Sequence, residues 1–222
     1  MGCGWGSLSL WMAENYPNSQ ITAVSNSASQ KDYILQRAET RKLQNIEVIT
    51  SNIANFSTEK KFDRIVSVEM FEHLRNYQKL LSHCSSWLNE GGLVFIHVFC
   101  HREFGYRFQE SQSGTNWMAE NFFEGGVMPS RRLFCEFQKD LEFVRHWSVN
   151  GVHYAKTCRA VLERLDQQRD MALAILKRVY GEGKAKLWFQ KWRMFFMAYE
   201  ETFRFRGGQE WLVSHNLLKK RS

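Results

Sequence analysis

The stretch that decides the fold is MGCGWGSLSLWM at residues 1–12, in which single residues separate three glycines, Gly2, Gly4 and Gly6. Glycine has no Cβ atom, so this spacing predicts a tight turn whose backbone a ligand can approach closely. Residues 6–17 then carry apolar side chains at helical spacing, which predicts a helix that begins at the turn. Because the amino-terminal end of a helix favours an anionic group, the turn is expected to form a ligand-binding loop.

Strands and helices alternate after this loop. The predicted elements, in chain order, are a strand at 20–26, a helix at 27–43, strands at 46–52 and 62–70, a helix at 76–92 and a strand at 93–99. The run at 62–70 is almost continuously apolar, as expected of a parallel strand that is covered on both faces. This alternation predicts a doubly wound α/β sheet, in which ligands bind at the carboxyl ends of the strands.

The alternation stops near residue 100, where aromatic residues, glycine and long helical runs take its place. Later predicted elements are a short helix at 131–140 capped by Ser130, a strand at about 141–149, helices at 153–181 and 184–205 and a strand at 209–220. We therefore expect a ligand-binding core over 1–100, a helical and aromatic cap with one returning strand over 101–206, and a final strand and tail over 207–222.

Composition narrows the function classes. The 222 residues are 44% hydrophobic, which is enough for one sizeable core with a small appended lobe. Apolar runs such as LVFIHVF (93–99) are far shorter than the roughly 20 residues that span a bilayer, and no signal peptide is visible, so we expect a cytoplasmic protein. The five scattered cysteines form no CxxC motif, which indicates reduced thiols. The net charge of +7 is dispersed, which disfavours a nucleic-acid partner; an anionic membrane surface stays open for a lipid substrate.

The glycine spacing favours S-adenosylmethionine (SAM) over a dinucleotide. A dinucleotide fingerprint reads G-x-G-x-x-G, whereas the third glycine here arrives one residue early. SAM carries adenosine and a carboxylate but no phosphates, and polar residues end the next two strands, where ribose and adenine would lie. The predicted cofactor contacts are Gly2, Cys3, Gly4, Gly6, Ser25, Asn26, Gln30, Asn52, Ile53 and Val68. The alternative is an ordinary turn followed by ordinary polar strand ends.

Two carboxylates and an imidazole follow the third predicted strand, in SVEMFEHLRNY (67–77). The spacing of Glu69, Glu72 and His73 would place all three on one face of any helical turn. Such a group could attract an amine, orient it and take its proton. An acidic helix start without a catalytic role is the alternative. A zinc site that includes His97 is disfavoured because no known metal-binding spacing appears.

Blocks along the whole chain, among them GCGWGSLSL, VSVEMFEHLRNY, FFEGGVMPS and FRGGQEWLVSHNLLKK, resemble a known family. They resemble SAM-dependent methyltransferases of the cyclopropane fatty-acid synthase superfamily, and within it the coclaurine N-methyltransferase branch, which methylates benzylisoquinoline-type amines. The resemblance implies a Rossmann-like class I methyltransferase sheet, mostly parallel with an antiparallel last strand, and a helical substrate cap. It also implies that a first strand, expected between 20–26 and 62–70 in the sheet, is missing from this sequence.

The resemblance assigns roles to individual residues. Glu69, Glu72 and His73 match the residues that line the pocket around the accepting nitrogen. Further substrate contacts, mostly aromatic, are implied for Phe71, His97, Phe104, Tyr106, Phe122, Phe123 and Trp211. Aromatic rings would hold a flat amine and attract its ammonium group or the sulfonium by cation–π interaction. Several of them must also serve the core of the cap.

The implied function is SAM-dependent methylation of the nitrogen of a small hydrophobic or aromatic amine, with S-adenosylhomocysteine (SAH) as the product. One alternative is methyl or methylene transfer to unsaturated fatty-acyl lipids. Phe195 and Phe196 stand where cyclopropane synthases are expected to carry a tyrosine for a bicarbonate-like base, which disfavours that alternative. Asn52 replaces a usual aspartate, which is expected to weaken cofactor binding modestly. A truncated, inactive or binding-only protein is the second alternative, and a homodimer stays open.

Overall fold

The predicted alternation of strands and helices forms in the computed structural model, which describes residues 1–108, 117–123 and 125–221. The helices are α1 (Ser7–Asn15), α2 (Ala28–Thr40), α3 (Tyr77–Trp87), α4 (Trp117–Phe122), α5 (Gly151–Gln167), α6 (Arg169–Tyr180) and α7 (Glu182–Gly208). The strands are β1 (Ile21–Ser25), β2 (Ile46–Thr50), β3 (Phe62–Val68), β4 (Leu88–His101), β5 (Tyr106–Arg107), β6 (Val127–Met128), β7 (Leu141–Val149) and β8 (Trp211–Lys220). The predicted α/β class is therefore confirmed. Parts of the predicted cap, 109–116 and 124, and the last residue of the tail lie outside the described residues.

Within the described ranges the strands form three sheets. β1 pairs with β2 in parallel, a four-stranded sheet has the order β3-β4-β8-β7, and β5 pairs with β6 antiparallel. β3 and β4 run in parallel with Val68 opposite His97, so the residues that follow β3 begin beside the middle of β4. This register decides which side chains meet at the carboxyl end of β3.

β1 and β3 belong to different sheets, and the first residues of the chain contact both. The Met1 amine donates to the carbonyl oxygen of Val66 at 2.7 Å, and the Cys3 N–H donates to that of Val24 at 3.0 Å. A cavity of about 1530 Å³ runs along the two strands and is lined by Ala23 and Ile65 among others. The two hydrogen bonds tie the start of the glycine loop to the carboxyl-terminal halves of β1 and β3.

The chain divides into two compact units. The first comprises Met1–Val98, Phe134–His146 and His215–Ser222, and the second comprises Phe99–Leu133 and Trp147–Ser214. The first boundary lies close to the predicted one at residue 100, whereas residues 134–146 were expected within the cap. No helix in the described ranges is long and apolar enough to cross a membrane.

A buried cluster in the first unit holds the glycine loop against α2. Ile34 and Ala38, one helical turn apart on α2, are buried together with Leu10 of α1 and Val48 of β2. The Ser27 side chain caps the start of this helix, because its hydroxyl accepts the Gln30 N–H at 3.4 Å. The start of α2 is therefore set by its own sequence, and its apolar face positions the loop.

Predicted elements differ from the structure by more than three residues in three regions of the chain. α3 ends at Trp87 rather than at residue 92, because the following residues join β4 through a bulge: Leu88 pairs with Phe62, and the next pair joins Leu93 to Arg64. The helix predicted over 153–181 is two helices, which break where five consecutive polar residues, 166–170, interrupt the apolar face. Only a 3₁₀ turn, Leu133–Glu136, forms within the helix predicted at 131–140.

Candidate active site

The three glycines of the opening loop all adopt left-handed backbone conformations, with φ of 65° at Gly2, 53° at Gly4 and 81° at Gly6. Left-handed conformations strain residues that carry a Cβ atom, which explains the repeated glycine. Space adds a second constraint at two positions: a Cβ on Gly6 would lie 2.5 Å from Ile34, and one on Gly2 would lie 2.5 Å from Met70. A Cβ on Gly4 would meet no atom within 4 Å. Gly6 also caps α1, so the loop presents the amino-terminal end of that helix.

Polar side chains cluster at the carboxyl ends of β1 and β2. The Ser25 hydroxyl donates to the Gln30 side-chain oxygen and accepts the Ser27 N–H at 3.1 Å. The Ser51 N–H donates to the Ser25 carbonyl oxygen at 2.8 Å, which joins the two strand ends. The structure therefore brings the predicted contacts Ser25 and Gln30 into direct contact.

The remaining predicted cofactor residues occupy different surroundings. Asn26 and Asn52 are exposed, and the Asn52 side-chain oxygen accepts the Ala54 N–H at 3.0 Å. Burial raises the pKa of the Cys3 thiol, so this cysteine is a neutral group rather than a nucleophile. Members of the predicted set that line the large cavity are Gly2, Cys3, Gly4 and Val68. The predicted contacts at the carboxyl ends of β1 and β2 do not line it, so the cavity is not in itself the predicted cofactor site.

Glu69 lies just after β3 in a left-handed conformation, with φ of 53°. Its N–H donates to the carbonyl oxygen of His97 at 3.1 Å, and its Oε1 lies 2.9 Å from Nε2 of the same histidine. The 3₁₀ turn at Phe71–His73 begins two residues later, so the expected helical turn with all three candidate residues on one face does not form. The reason is the left-handed residue, which redirects the chain before the turn starts.

Glu72 and His73 follow in the 3₁₀ turn with opposite exposure. Glu72 is fully buried, whereas His73 is exposed. Burial, with the nearby charge of Glu72 as a second cause, raises the pKa of the Tyr77 hydroxyl to about 12, so Tyr77 stays protonated. A carboxylate and an imidazole are each able to accept a proton from an amine.

Phe71, a predicted substrate contact, has no exposed surface. Its ring packs on Tyr77 and on Phe134, with ring centroids 6.2 and 5.5 Å away. It is a core residue of the first unit, and we leave its predicted substrate contact out of the proposed site.

In the second unit, three predicted substrate residues surround His101. The rings of Phe104 and Trp211 each lie 5.3 Å from the His101 ring, and the Trp211 indole N–H donates to the Tyr106 hydroxyl at 3.1 Å. Nδ1 of His101 accepts the Phe104 N–H at 2.8 Å, so its proton is on Nε2, which donates to Glu210 at 3.2 Å. Sequence reasoning missed this histidine, although it stands only three residues before the predicted contact Phe104, in HVFCHREF at 97–104.

Two further predicted substrate residues belong to the aromatic core of the second unit. Phe123 is 8% exposed, and its ring stacks on Tyr199 with centroids 5.7 Å apart. The Phe122 ring lies 4.5 Å from that of Phe195, the position expected to carry a tyrosine in cyclopropane synthases. Phe122 and Phe123 therefore pack in the core of the second unit, as expected for some of these aromatic residues.

The model of the mycolic acid cyclopropane synthetase family matches residues 1–209. The chain belongs to this family. Among curated proteins it is 36% identical to (S)-coclaurine N-methyltransferase of Thalictrum flavum subsp. glaucum, over all of this chain and 62% of that protein. A coclaurine N-methyltransferase structure bound to N-methylheliamine and SAH matches 99% of this chain and 66% of the other, with 37% identity and a TM-score of 0.92. This cyclopropane synthetase family member thus spans just under two thirds of the length of these coclaurine relatives.

A second structural match is to a cyclopropane synthase. The mycolic acid cyclopropane synthase CmaA1, complexed with SAH and CTAB, matches 99% of this chain and 76% of the other with a TM-score of 0.80. Sequence identity is 20%, so this likeness concerns the fold alone. The family resemblance expected from the sequence blocks is confirmed, and so is the fold that it implied.

Proposed function

We propose that this chain carries the cofactor-binding and acceptor-binding residues of a SAM-dependent N-methyltransferase that acts on a small hydrophobic or aromatic amine. The observation that carries the proposal is the likeness to a coclaurine N-methyltransferase over 99% of this chain with a TM-score of 0.92. The carboxylates and the imidazole at the carboxyl end of β3 support it, since they suit an amine. A cytoplasmic location belongs to the same proposal.

The residues present fit the cofactor. The loop glycines and the first turn of α1 would hold its methionyl carboxylate, because helix N–H groups favour an anion. The bonded pair Ser25 and Gln30 would meet the ribose hydroxyls, and Asn52 with Ile53 would meet the adenine. SAM supplies an electrophilic methyl group on a sulfonium. Asn52 offers an uncharged amide where the family usually has a carboxylate, so its part of the site binds more weakly.

The amine substrate must lose a proton before its nitrogen can accept a methyl group. Alkyl amines, like the lysine side chain, are mostly protonated near neutral pH and have no free lone pair in that form. Glu69 and Glu72 attract the ammonium, and one of them or His73 accepts its proton. The neutral nitrogen would then accept the methyl group while the methyl–sulfur bond breaks, which would leave SAH and a tertiary or quaternary ammonium ion. Holding the amine in line with the methyl group supplies much of the rate.

The aromatic residues of the second unit remain a separate part of the proposal. Phe104 is 65% exposed and Tyr106 40%, so both rings have surface that a flat amine could contact. Burial raises the pKa of the Tyr106 hydroxyl, which therefore stays a neutral donor or acceptor near Trp211. Their predicted cation–π contribution applies to the ammonium product as well as to the substrate.

The first experiment is radiolabel transfer from methyl-labelled SAM to a panel of tetrahydroisoquinoline amines, with SAH binding measured by calorimetry. We expect label in the amine fraction and saturable SAH binding. Parallel reactions contain vesicles of unsaturated phospholipid with bicarbonate. Label in the lipid alone would replace the proposal with the cyclopropane-type reaction, and a protein that binds no SAH would overturn it in favour of a binding-only or inactive chain.

A further inference from the structure

Three titratable side chains of the first unit form a continuous hydrogen-bonded line. Oε1 of Glu69 lies 2.9 Å from Nε2 of His97 on β4, and Nδ1 of His97 lies 3.0 Å from Nε2 of His215 on β8. The two imidazole rings have centroids 4.9 Å apart and are inclined at 36°. His97 therefore uses both ring nitrogens, one toward the candidate carboxylate and one toward a second histidine.

This line has only one arrangement of protons when Glu69 is ionised and both imidazoles are neutral. A carboxylate can only accept hydrogen bonds, so Nε2 of His97 must carry the proton that lies between them. Nδ1 of a neutral His97 is then an acceptor, and Nε2 of His215 must carry the proton that bonds to it. The tautomer of His97 is thus selected by the residues on its two sides, a role that the second partner of an imidazole commonly plays.

The surroundings of His215 keep it in the neutral form that this arrangement needs. Burial lowers the pKa of His215, and the nearby imidazoles of His97 and His146 lower it further. Its ring also lies 5.3 Å from that of Phe95, which offers no charge. The acidic member of the line, Glu69, lies on the far side of His97 from His215.

His97 holds Glu69 at two points, which matters because the Glu69 backbone is in a left-handed conformation. The His97 carbonyl oxygen accepts the Glu69 N–H at 3.1 Å, and the His97 ring holds its carboxylate. Strained backbone of this kind persists when the surrounding contacts determine it. Any change that turns the His97 ring or exchanges its tautomer would remove this side-chain contact to the carboxylate.

We propose that His215 is a positioning residue for Glu69: by donating from Nε2 to His97, it selects the His97 tautomer whose Nε2–H holds the Glu69 carboxylate at the acceptor site. The inference rests on the proposed function for its effect on turnover. Its structural part, the tautomer of His97, can be tested without any reaction.

The test compares His215→Leu, which removes the donor, with His215→Gln, whose side-chain amide can donate from a similar position. Imidazole ¹⁵N NMR of the full chain reports which nitrogen of His97 carries the proton. We expect the protein itself and His215→Gln to show a protonated Nε2 and an acceptor Nδ1, and His215→Leu to lose this preference. Turnover is expected to fall by about 10- to 100-fold in His215→Leu, the usual effect of losing such a supporting partner. The SAH affinity stays unchanged, and His215→Gln restores most of the turnover.

The matched control is His83→Leu, which removes a half-buried imidazole of α3 that packs on Trp87 and has no part in the line. We expect it to leave both turnover and the His97 spectrum unchanged. Unchanged His97 ¹⁵N shifts in His215→Leu would overturn the inference, as would a His215→Gln variant as slow as His215→Leu. If the unmodified chain transfers no methyl group to any amine, the proposed function fails, and the NMR comparison alone then decides for or against the positioning role.

Discussion

Replacing Glu72 by glutamine and His73 by alanine together is expected to reduce methyl transfer to the amine by about 10²- to 10⁴-fold, the usual contribution of a positioned acid–base pair. The physical reason is the loss of the groups that attract the ammonium and accept its proton. Glutamine keeps the volume of the fully buried Glu72, so the turn at Phe71–His73 should persist. The measurement is kcat with labelled SAM, beside SAH binding by calorimetry, which we expect to change little.

The matched control for this variant is Glu142→Gln with His83→Ala, which removes the same two residue types from β7 and α3. Both residues belong to elements other than the turn, and Glu142 is exposed. The single variants are expected to be nearly as slow as the double, because groups that act as a unit are not additive. Wild-type turnover in the double variant would remove Glu72 and His73 from the proposed mechanism while leaving the cofactor assignment intact.

Gly6→Ala is expected to destabilise the first unit far more than Gly4→Ala. Both glycines have positive φ, so each substitution costs about 1–2 kcal/mol for the left-handed backbone. Only at Gly6 does the new Cβ lie 2.5 Å from the fully buried Ile34, and such overpacking adds about 1–3 kcal/mol. Urea unfolding should therefore show a loss of about 2–5 kcal/mol for Gly6→Ala, with a parallel loss of SAH affinity.

A double-mutant cycle with Ile34→Ala isolates the steric part of this effect. Removing the Ile34 side chain is destabilising by itself, by about 2–5 kcal/mol, but it vacates the space that the new Cβ needs. In that background Gly6→Ala should cost no more than Gly4→Ala does in the unmodified chain. Equal losses for Gly6→Ala in both backgrounds would show that crowding against Ile34 plays no part.

Local sequence patterns predicted helices and strands well where the residues of the element itself determine its conformation. The alternation from residue 20 to 99 predicted β1 to β4 and the helices between them. The tight turn at the loop glycines could be predicted from the sequence, because the ability to adopt a positive φ depends on the single residue at each position. Boundaries failed where a partner strand decided them, as in the bulge that extends β4 back to Leu88.

The sequence by itself determined the α/β class, the glycine loop and the presence of two carboxylates and an imidazole after β3. Only the tertiary structure decided their arrangement: Glu69 stands in a left-handed conformation outside the turn, Phe71 is buried, and His97 links Glu69 to His215. Helical spacing relates residues three or four apart, whereas His97 and His215 are 118 positions apart and meet because β4 and β8 are neighbours in one sheet. Which side chains meet across a sheet depends on strand order and register, and local periodicity does not determine either.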